Sequence, residues 1–478
     1  MTMPGTSYHH PLRVAIIGSG PSGFYAAARL QDEEGLIVEI DMFDRLPTPF
    51  GLVRGGVAPD HPKIKSVTKV YEKIAAHPSF RFYGHVEFGS DLQRADLARH
   101  YHAIIYAVGA QTDRRLGIPG EDLAGSHPAT EFVAWYNGHP DYRHLQFDLT
   151  QESVAVVGIG NVAMDVARIL ARSIAELRQT DIADYALDAL AHSKVTTIYI
   201  LGRRGPLQAA FTNPEIKELG EMEEADVVVG PDEISLDPLS QAILDRGEDK
   251  TAAKNLEYLR EYARRPLSGK PKRLIFRFLV SPVELIGTHR VEAMKIVKNE
   301  LVDDGRGGLK ARPTDQFETI PVGLVFRSVG YRGLALPGVP FHEPWGTIPH
   351  DRGRVLTQLN GGQPVPGDYV VGWIKRGPSG IIGTNKPDSI ETVESLLEDL
   401  KAGKLMDPPD PSRAALERLL RDRGVRYVTF DDWLYLDQLE QQRGQAEGRP
   451  RIKFTDVEEM LHLVEEHKQL ISKQEMGG

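Results

Sequence analysis

Twice along this chain a run of β-branched apolar residues stops at a glycine-rich turn and gives way to a helical apolar spacing. The first run is RVAIIGSGPSGFYAAARL at 13–30 and the second is SVAVVGIGNVAMDVARIL at 153–170. Strand, turn and helix in that order predict two βα units. Each is followed by a further strand: LIVEIDMFD ends at Asp44, and KVTTIYILGRRG arrives late, after a helical and loop segment at 171–194. Another β-rich run, YVVGWIKRGPSGIIGT at 369–384, ends at Gly372 and Trp373 and turns through Gly377, Pro378, Ser379 and Gly380. The pattern predicts an α/β fold with two Rossmann-like dinucleotide-binding domains.

The first turn places Gly18, Gly20 and Gly23 in G-x-G-x-x-G spacing. The first glycine permits the tight turn, the second lets a pyrophosphate approach the backbone, and the third lets helix pack on strand. Pro21 suits the first helical turn, whose free amides face an anion. Asp44 follows 21 residues after Gly23, where an acid meets a ribose hydroxyl. Taken alone, it reads equally as a strand-end turn residue. In the second turn Gly158 and Gly160 are followed by Ala163, which is tolerated in place of a third glycine. Arg203 and Arg204 stand where its next strand ends. An acid there favours a free 2′-hydroxyl and a cation a 2′-phosphate, so the pair argues for NADP(H) over a solvated basic turn. The first site carries the acid and lacks the arginines, which makes it the expected home of FAD.

Composition narrows the chemistry. The 478 residues suffice for two or three domains, and the 41% hydrophobic and 26% charged fractions are those of a folded globular protein. A formal charge of −10 argues against general nucleic-acid affinity. No stretch approaches the roughly 18 apolar residues of a membrane helix, and the start MTMPGTSYHHPLR lacks a signal core, so a soluble, cytoplasmic protein is expected. There is no cysteine. A redox thiol pair and a Cys-ligated iron-sulfur cluster are thereby excluded, and electron chemistry needs a bound organic cofactor. No metal ion is assigned.

The runs LPTPFGLVRGGVAPDHPKIKSV (46–67), IYAVGAQTDRRLGIPGE (105–121), GRRGPLQAAFT (202–212) and VGWIKRGPSGIIGT (371–384) resemble the adrenodoxin reductase family of ferredoxin-NADP reductases. The resemblance spans most of the chain to about residue 400. It implies an NADP-binding domain at 113–330 inserted in an FAD-binding domain made of 1–112 and 331–478, the latter with a C-terminal extension. It implies Ser22, Asp44, Leu52 and Phe88 around the FAD. The family usually has a glutamate at the position of Asp44 and an aliphatic residue at that of Phe88, so the shorter acid reaches the ribose less directly or through water. On the NADP side it implies Arg114, Ile159, Gly160, Asn161, Val162, Arg203, Arg204 and Glu215, the last orienting adenosine or the arginines.

Trp373 stands where many two-domain flavoproteins carry an aspartate after the glycine, as it does in the resembled family. Its ring covers the flavin or contacts nicotinamide. Gly380 lets backbone amides approach the isoalloxazine without a side chain blocking the nicotinamide, and Ile381 and Ile382 continue that wall. His61 reads either as a neighbour of the reacting rings, positioning them or relaying a proton, or as a turn histidine between prolines. Hydride transfer from nicotinamide C4 to flavin N5 needs alignment and exclusion of water rather than an acid or base.

The implied activity is that of an NADPH-ferredoxin oxidoreductase passing single electrons to a separate iron-sulfur protein. A flavin-dependent NADPH monooxygenase and a non-enzymatic flavoprotein subunit of a larger redox assembly are the alternatives. The basic helix and turn carrying Lys254, Arg260, Arg264, Arg265, Lys270, Lys272 and Arg273 is either the docking face for an acidic ferredoxin or a solvated surface.

Overall fold

The structure is a computed structural model that describes residues 3–305 and 308–477. It divides into two units, one made of Met1–Val57, His61–Thr112 and Tyr331–Gly478, the other of Ala58–Asp60 and Asp113–Gly330.

In the first unit the strand Leu12–Ile17 is buried at every position. It lies inside a seven-stranded sheet, between Ala103–Tyr106 and Val38–Asp44, both parallel to it. Phe80–Gly84 closes one side in parallel register, and Pro364–Val370 joins on the other, followed by the antiparallel strands Arg354–Leu356 and His350–Asp351. Alternate side chains enter two cores. Leu12, Val14 and Ile16 pack with Phe24, Ala27, Leu30 and Leu396, whereas Ala15 and Ile17 pack with Phe43, Tyr101, Ile348 and Leu416. A strand covered on both faces is apolar at nearly every position, which is why the sequence run is continuous rather than alternating; its one charge, Arg13, is buried against Glu39 and Asp41, each at 2.8 Å. Each such side chain contributes roughly 1.5–3 kcal/mol by leaving water.

The second unit holds a six-stranded sheet, all of its pairings parallel, in the order Ser126–Pro128, Leu324–Arg327, Ser153–Val157, Thr197–Leu201, Lys272–Arg277 and Ala225–Val229. Val154 and Val156 face a helical layer containing Ala163, Met164 and Ala167, while Ala155 and Val157 face Met294, Ile296 and Ile320 of a three-stranded antiparallel sheet. The segment 171–194 folds as the helices Ile174–Leu177 and Asp184–Ala191 before the late strand begins. No helix among the described residues is long and apolar enough to cross a membrane.

Candidate functional site

The three glycines of the first turn meet three different environments. Gly18 has a φ of +103°, and a Cβ there would lie 2.5 Å from the Ala107 carbonyl oxygen. Gly23 faces the Gly18 carbonyl, where a Cβ would approach to 2.6 Å, so helix Pro21–Gln31 packs directly on the turn. Gly20, the N-cap of that helix, has nothing within 4 Å of the position a Cβ would take. Open space beside the free amides of a helix start is what a pyrophosphate requires.

Asp44 stands at the end of the strand Val38–Asp44, as the spacing requires. Its Oδ2 accepts from the Ser19 amide at 3.0 Å and the Ser19 hydroxyl at 2.5 Å, and its Oδ1 accepts from the Leu46 amide at 3.0 Å. The carboxylate therefore ties the glycine turn to the second strand. Ser22 is buried, and its hydroxyl would lie 2.5 Å from any Cβ at Gly372, whose φ is +77°. Leu52 is exposed and opens the short helix Leu52–Gly55, and Phe88 stacks edgewise on Tyr106 at 5.7 Å.

Sequence reading missed one element of this site. The backbone before Leu52 folds onto the turn: the Phe50 amide donates to the Ser19 carbonyl at 3.0 Å, and a Cβ on Gly51 would come within 2.9 Å of Gly20 Cα. The signal available was the glycine at 51 inside the motif LPTPFGLVRGG.

Later in the chain of the same unit, Trp373 begins a four-residue helix, Trp373–Arg376. Its ring lies 5.4 Å from Tyr331, and its indole N–H is buried with no acceptor among the described residues. Such a donor costs about 1–3 kcal/mol until an acceptor arrives. Gly380 has a φ of +81°, and a Cβ would meet the Thr384 hydroxyl at 2.5 Å. Arg376 staples the turn, donating to Ser379, Thr384 and Asn385. Ile381 is exposed and Ile382 half-buried. His61 caps the short helix Pro62–Lys65 and is half-buried.

The second turn repeats the first. Gly158, at φ +141°, leaves a Cβ only 2.2 Å from the Ser328 carbonyl oxygen, while Gly160 caps helix Asn161–Ala171 with no atom within 4 Å of a Cβ. Ala163 is fully buried at the third position. Ile159 lies against Gly202, with its carbonyl accepting from Ala210, and the Asn161 side chain accepts from the Thr212 amide at 2.9 Å. Val162 packs on the helical core.

Arg203 and Arg204 follow at once from this strand end, on a turn pinned by Leu279 and Val280 amides and by Asn299, which donates to the Arg203 carbonyl at 2.9 Å. Arg203 is exposed and Arg204 half-buried, and neither guanidinium has an anionic partner among the described residues. Burial, then the neighbouring charge of Arg203, pushes the Arg204 pKa down. Two cations side by side without an anionic partner among the described residues make this turn electrostatically favourable for an anion. Arg114 is exposed near Gly330, whose carbonyl accepts from its amide at 3.0 Å.

Glu215 begins helix Asn213–Leu219 and is buried. The arginine it orients is Arg168, not the Arg203–Arg204 pair: Arg168 is wholly buried and donates to Glu215 at 2.8 Å, to Asp165 at 2.6 Å and to Asp60 at 2.7 Å. Much of the basic helix and turn is engaged within its own unit. Lys254 pairs with Glu257 and Arg265 with Glu261, Lys270 donates to the Met222 carbonyl, and Lys272 opens a strand and donates to Leu170 and Arg172 carbonyls. Arg260, Arg264 and Arg273 remain without an acidic partner among the described residues.

A profile of the family described as pyridine nucleotide-disulphide oxidoreductase matches residues 12–219, the stretch containing both glycine turns. The NADPH-ferredoxin reductase FprA of Mycobacterium tuberculosis is 45% identical over 463 residues, which are 95% of this chain and 99% of that protein. The chain belongs to the NADPH-ferredoxin reductase family. Another family member, the mitochondrial NADPH:adrenodoxin oxidoreductase of Arabidopsis thaliana, is 39% identical over 94% of this chain and 95% of its own. The solved structure of Mycobacterium tuberculosis FprA in complex with NADPH superposes with a TM-score of 0.89 at 46% identity, covering 95% of this chain and 99% of that one. The disulphide chemistry in the broader family's description is closed to this ferredoxin reductase family member through its own residues, because it has no cysteine.

Proposed function

We propose that the chain is an FAD-dependent NADPH-ferredoxin oxidoreductase working in the cytoplasm. FAD is assigned to the first unit and NADP(H) to the second. The observation that carries the reading is the Arg203–Arg204 turn, without an anionic partner among the described residues, beside an open Gly160, within a chain that matches NADPH-ferredoxin reductases over nearly its whole length. When bound, FAD accepts a hydride, two electrons with one proton, from nicotinamide C4 at its N5 and releases electrons singly to an iron-sulfur protein.

The residues do the holding. Gly18, Gly20, Ser22 and Gly23 with the amides of the first helix cradle the FAD pyrophosphate, and Asp44 through Ser19 keeps that turn in place. Leu52 and Phe88 border the cofactor, and the indole N–H of Trp373 gains the acceptor it lacks. Gly380, with Ile381 and Ile382, presents backbone rather than side chain to the reacting rings, and His61 positions them. Gly158 to Val162 cradle the NADP pyrophosphate, Arg203 and Arg204 fork onto the 2′-phosphate, Arg114 adds a further cation, and Glu215 sets the helix behind them through Arg168.

Stopped-flow reduction of the purified yellow protein tests this. NADPH is expected to bleach the flavin absorbance at far lower concentration than NADH, and a ferredoxin supplied in excess is expected to reoxidise it. A colourless preparation that takes up no FAD, or equal response to both nicotinamides, defeats the reading.

A further inference from the structure

The residues beyond about 405 lie outside the motifs that carry the family resemblance, yet they grip a segment that folds over the first glycine turn. Phe50 and Gly51 both have positive φ, +83° and +50°. For a bulky residue such as phenylalanine that conformation is strained and persists only where its surroundings enforce it. The enforcing groups are Phe24 at 5.6 Å and Tyr71 at 6.1 Å from the first unit's N-terminal part, joined by residues of the tail. The Phe50 ring is buried edge-on against Trp433 at 6.0 Å and Phe430 at 6.5 Å. Four residues further along the chain, the Arg54 guanidinium lies 5.0 Å over the Trp433 ring.

Arg54 also meets Glu440, on the helix Phe430–Ala446, through two hydrogen bonds of 2.9 and 2.5 Å. The Glu440 side chain has no exposed surface. Its carboxylate additionally accepts from the Phe454 amide at 2.8 Å and faces Arg451 at 3.3 Å. Burial alone pushes its pKa up, but the Arg54 charge and hydrogen bonds, joined by Arg451, outweigh that and hold the carboxyl below its ordinary range. The Lys453 ammonium donates to the Arg54 carbonyl at 3.3 Å, so the short helix Leu52–Gly55 is held at both side chain and backbone.

We propose that Glu440 is a positioning residue for the flavin: by fixing Arg54 it holds the strained Phe50–Gly51–Leu52 segment against Gly20, and the C-terminal helices thereby help to determine how long the cofactor is retained. The inference rests on the placement of FAD at the first glycine turn. A bidentate pair with a fully desolvated carboxylate is a geometric clamp, because neither partner can rotate away without leaving a charge unmet.

The test uses the full-length holoenzyme and two variants, Glu440→Gln, which keeps the shape and removes the charge, and Arg54→Lys, which keeps the charge and removes the fork. FAD release is followed by the rise of free-flavin fluorescence on dilution, alongside the visible circular dichroism of the bound flavin and the thermal midpoint of the apoprotein. Each variant is expected to release FAD about tenfold faster than the parent and to change the flavin dichroism. Pairing Arg54→Lys with Glu440→Gln is expected to add little to either alone, because both remove one clamp. Unchanged FAD release and dichroism in either folded variant overturns the proposal, even if the apoprotein melts earlier. If the parent itself takes up no FAD, it is the placement of the cofactor that fails, which separates the two conclusions.

Discussion

At the scale of single residues, the structure distinguishes side chains that are committed from those that wait. Asp44 is committed: its carboxylate already holds Ser19 and Leu46 amides. Glu215 is committed to Arg168. Arg203 and Arg204 are not: burial, and then the neighbouring Arg203 charge, pushes the Arg204 pKa down, and an anion at the turn would offset both. Replacing both by alanine is therefore expected to weaken NADPH binding by about 2–3 kcal/mol, or about 30- to 150-fold, with little change for NADH. Isothermal titration of both nucleotides into parent and variant gives the comparison, and equal losses for the two would remove the 2′-phosphate from that turn. The arginine pair was legible because it lies next to the strand that positions it. The partner of Glu215 was not, since Arg168 lies 47 residues away on another helix and only the folded chain brings the two together.

At the scale of elements, the glycine turns separate two reasons for glycine that spacing alone merges. Gly18 and Gly158 are required by the protein itself, having positive φ and neighbouring carbonyls at 2.5 and 2.2 Å. Gly20 and Gly160 have φ of −79° and −109° and empty surroundings, so the fold tolerates a methyl group at either. Gly20→Ala is expected to change the stability of the apoprotein by no more than about 1 kcal/mol, the scale of a helix-cap exchange. The same substitution is expected to weaken FAD uptake about 10- to 100-fold, because the pyrophosphate loses its approach to the amides. Gly160→Ala does the same for NADPH and spares FAD. Melting curves of the apoproteins with titrations of each cofactor check both. Strand, turn and helix could be read from the sequence because they are local patterns. The closure of Gly51 over Gly20 was legible only as a glycine at 51, because the contacts that make it, the Phe50 amide on the Ser19 carbonyl and the approach of Gly51 to Gly20, join separate stretches of chain.

At the scale of the whole molecule, a net charge of −10 repels an acidic partner, and approach depends on local cations overcoming that field. Of the seven basic residues first read as a docking face, Lys254, Arg265, Lys270 and Lys272 are occupied within the second unit. Arg264 and Arg273 are exposed and lack an acidic partner among the described residues. Reversing both to glutamate is expected to slow ferredoxin reduction about tenfold or more at low salt, a gap that narrows as ionic strength rises. Reduction of the flavin by NADPH in the same variant stays at the parental rate, and an unchanged ferredoxin rate places docking elsewhere.

The tripeptide Ala58–Asp60 belongs to the second unit although the chain on either side of it belongs to the first. Asp60 meets both Arg168 and Arg172 there, with side-chain exposures of 5% for the acid and 0% for Arg168. Cutting the gene at 112/113 and 330/331 thus severs more than two covalent joints. The excised middle piece would carry a buried guanidinium stripped of one of its counter-ions, so it is not a self-sufficient module that recombination could transplant intact.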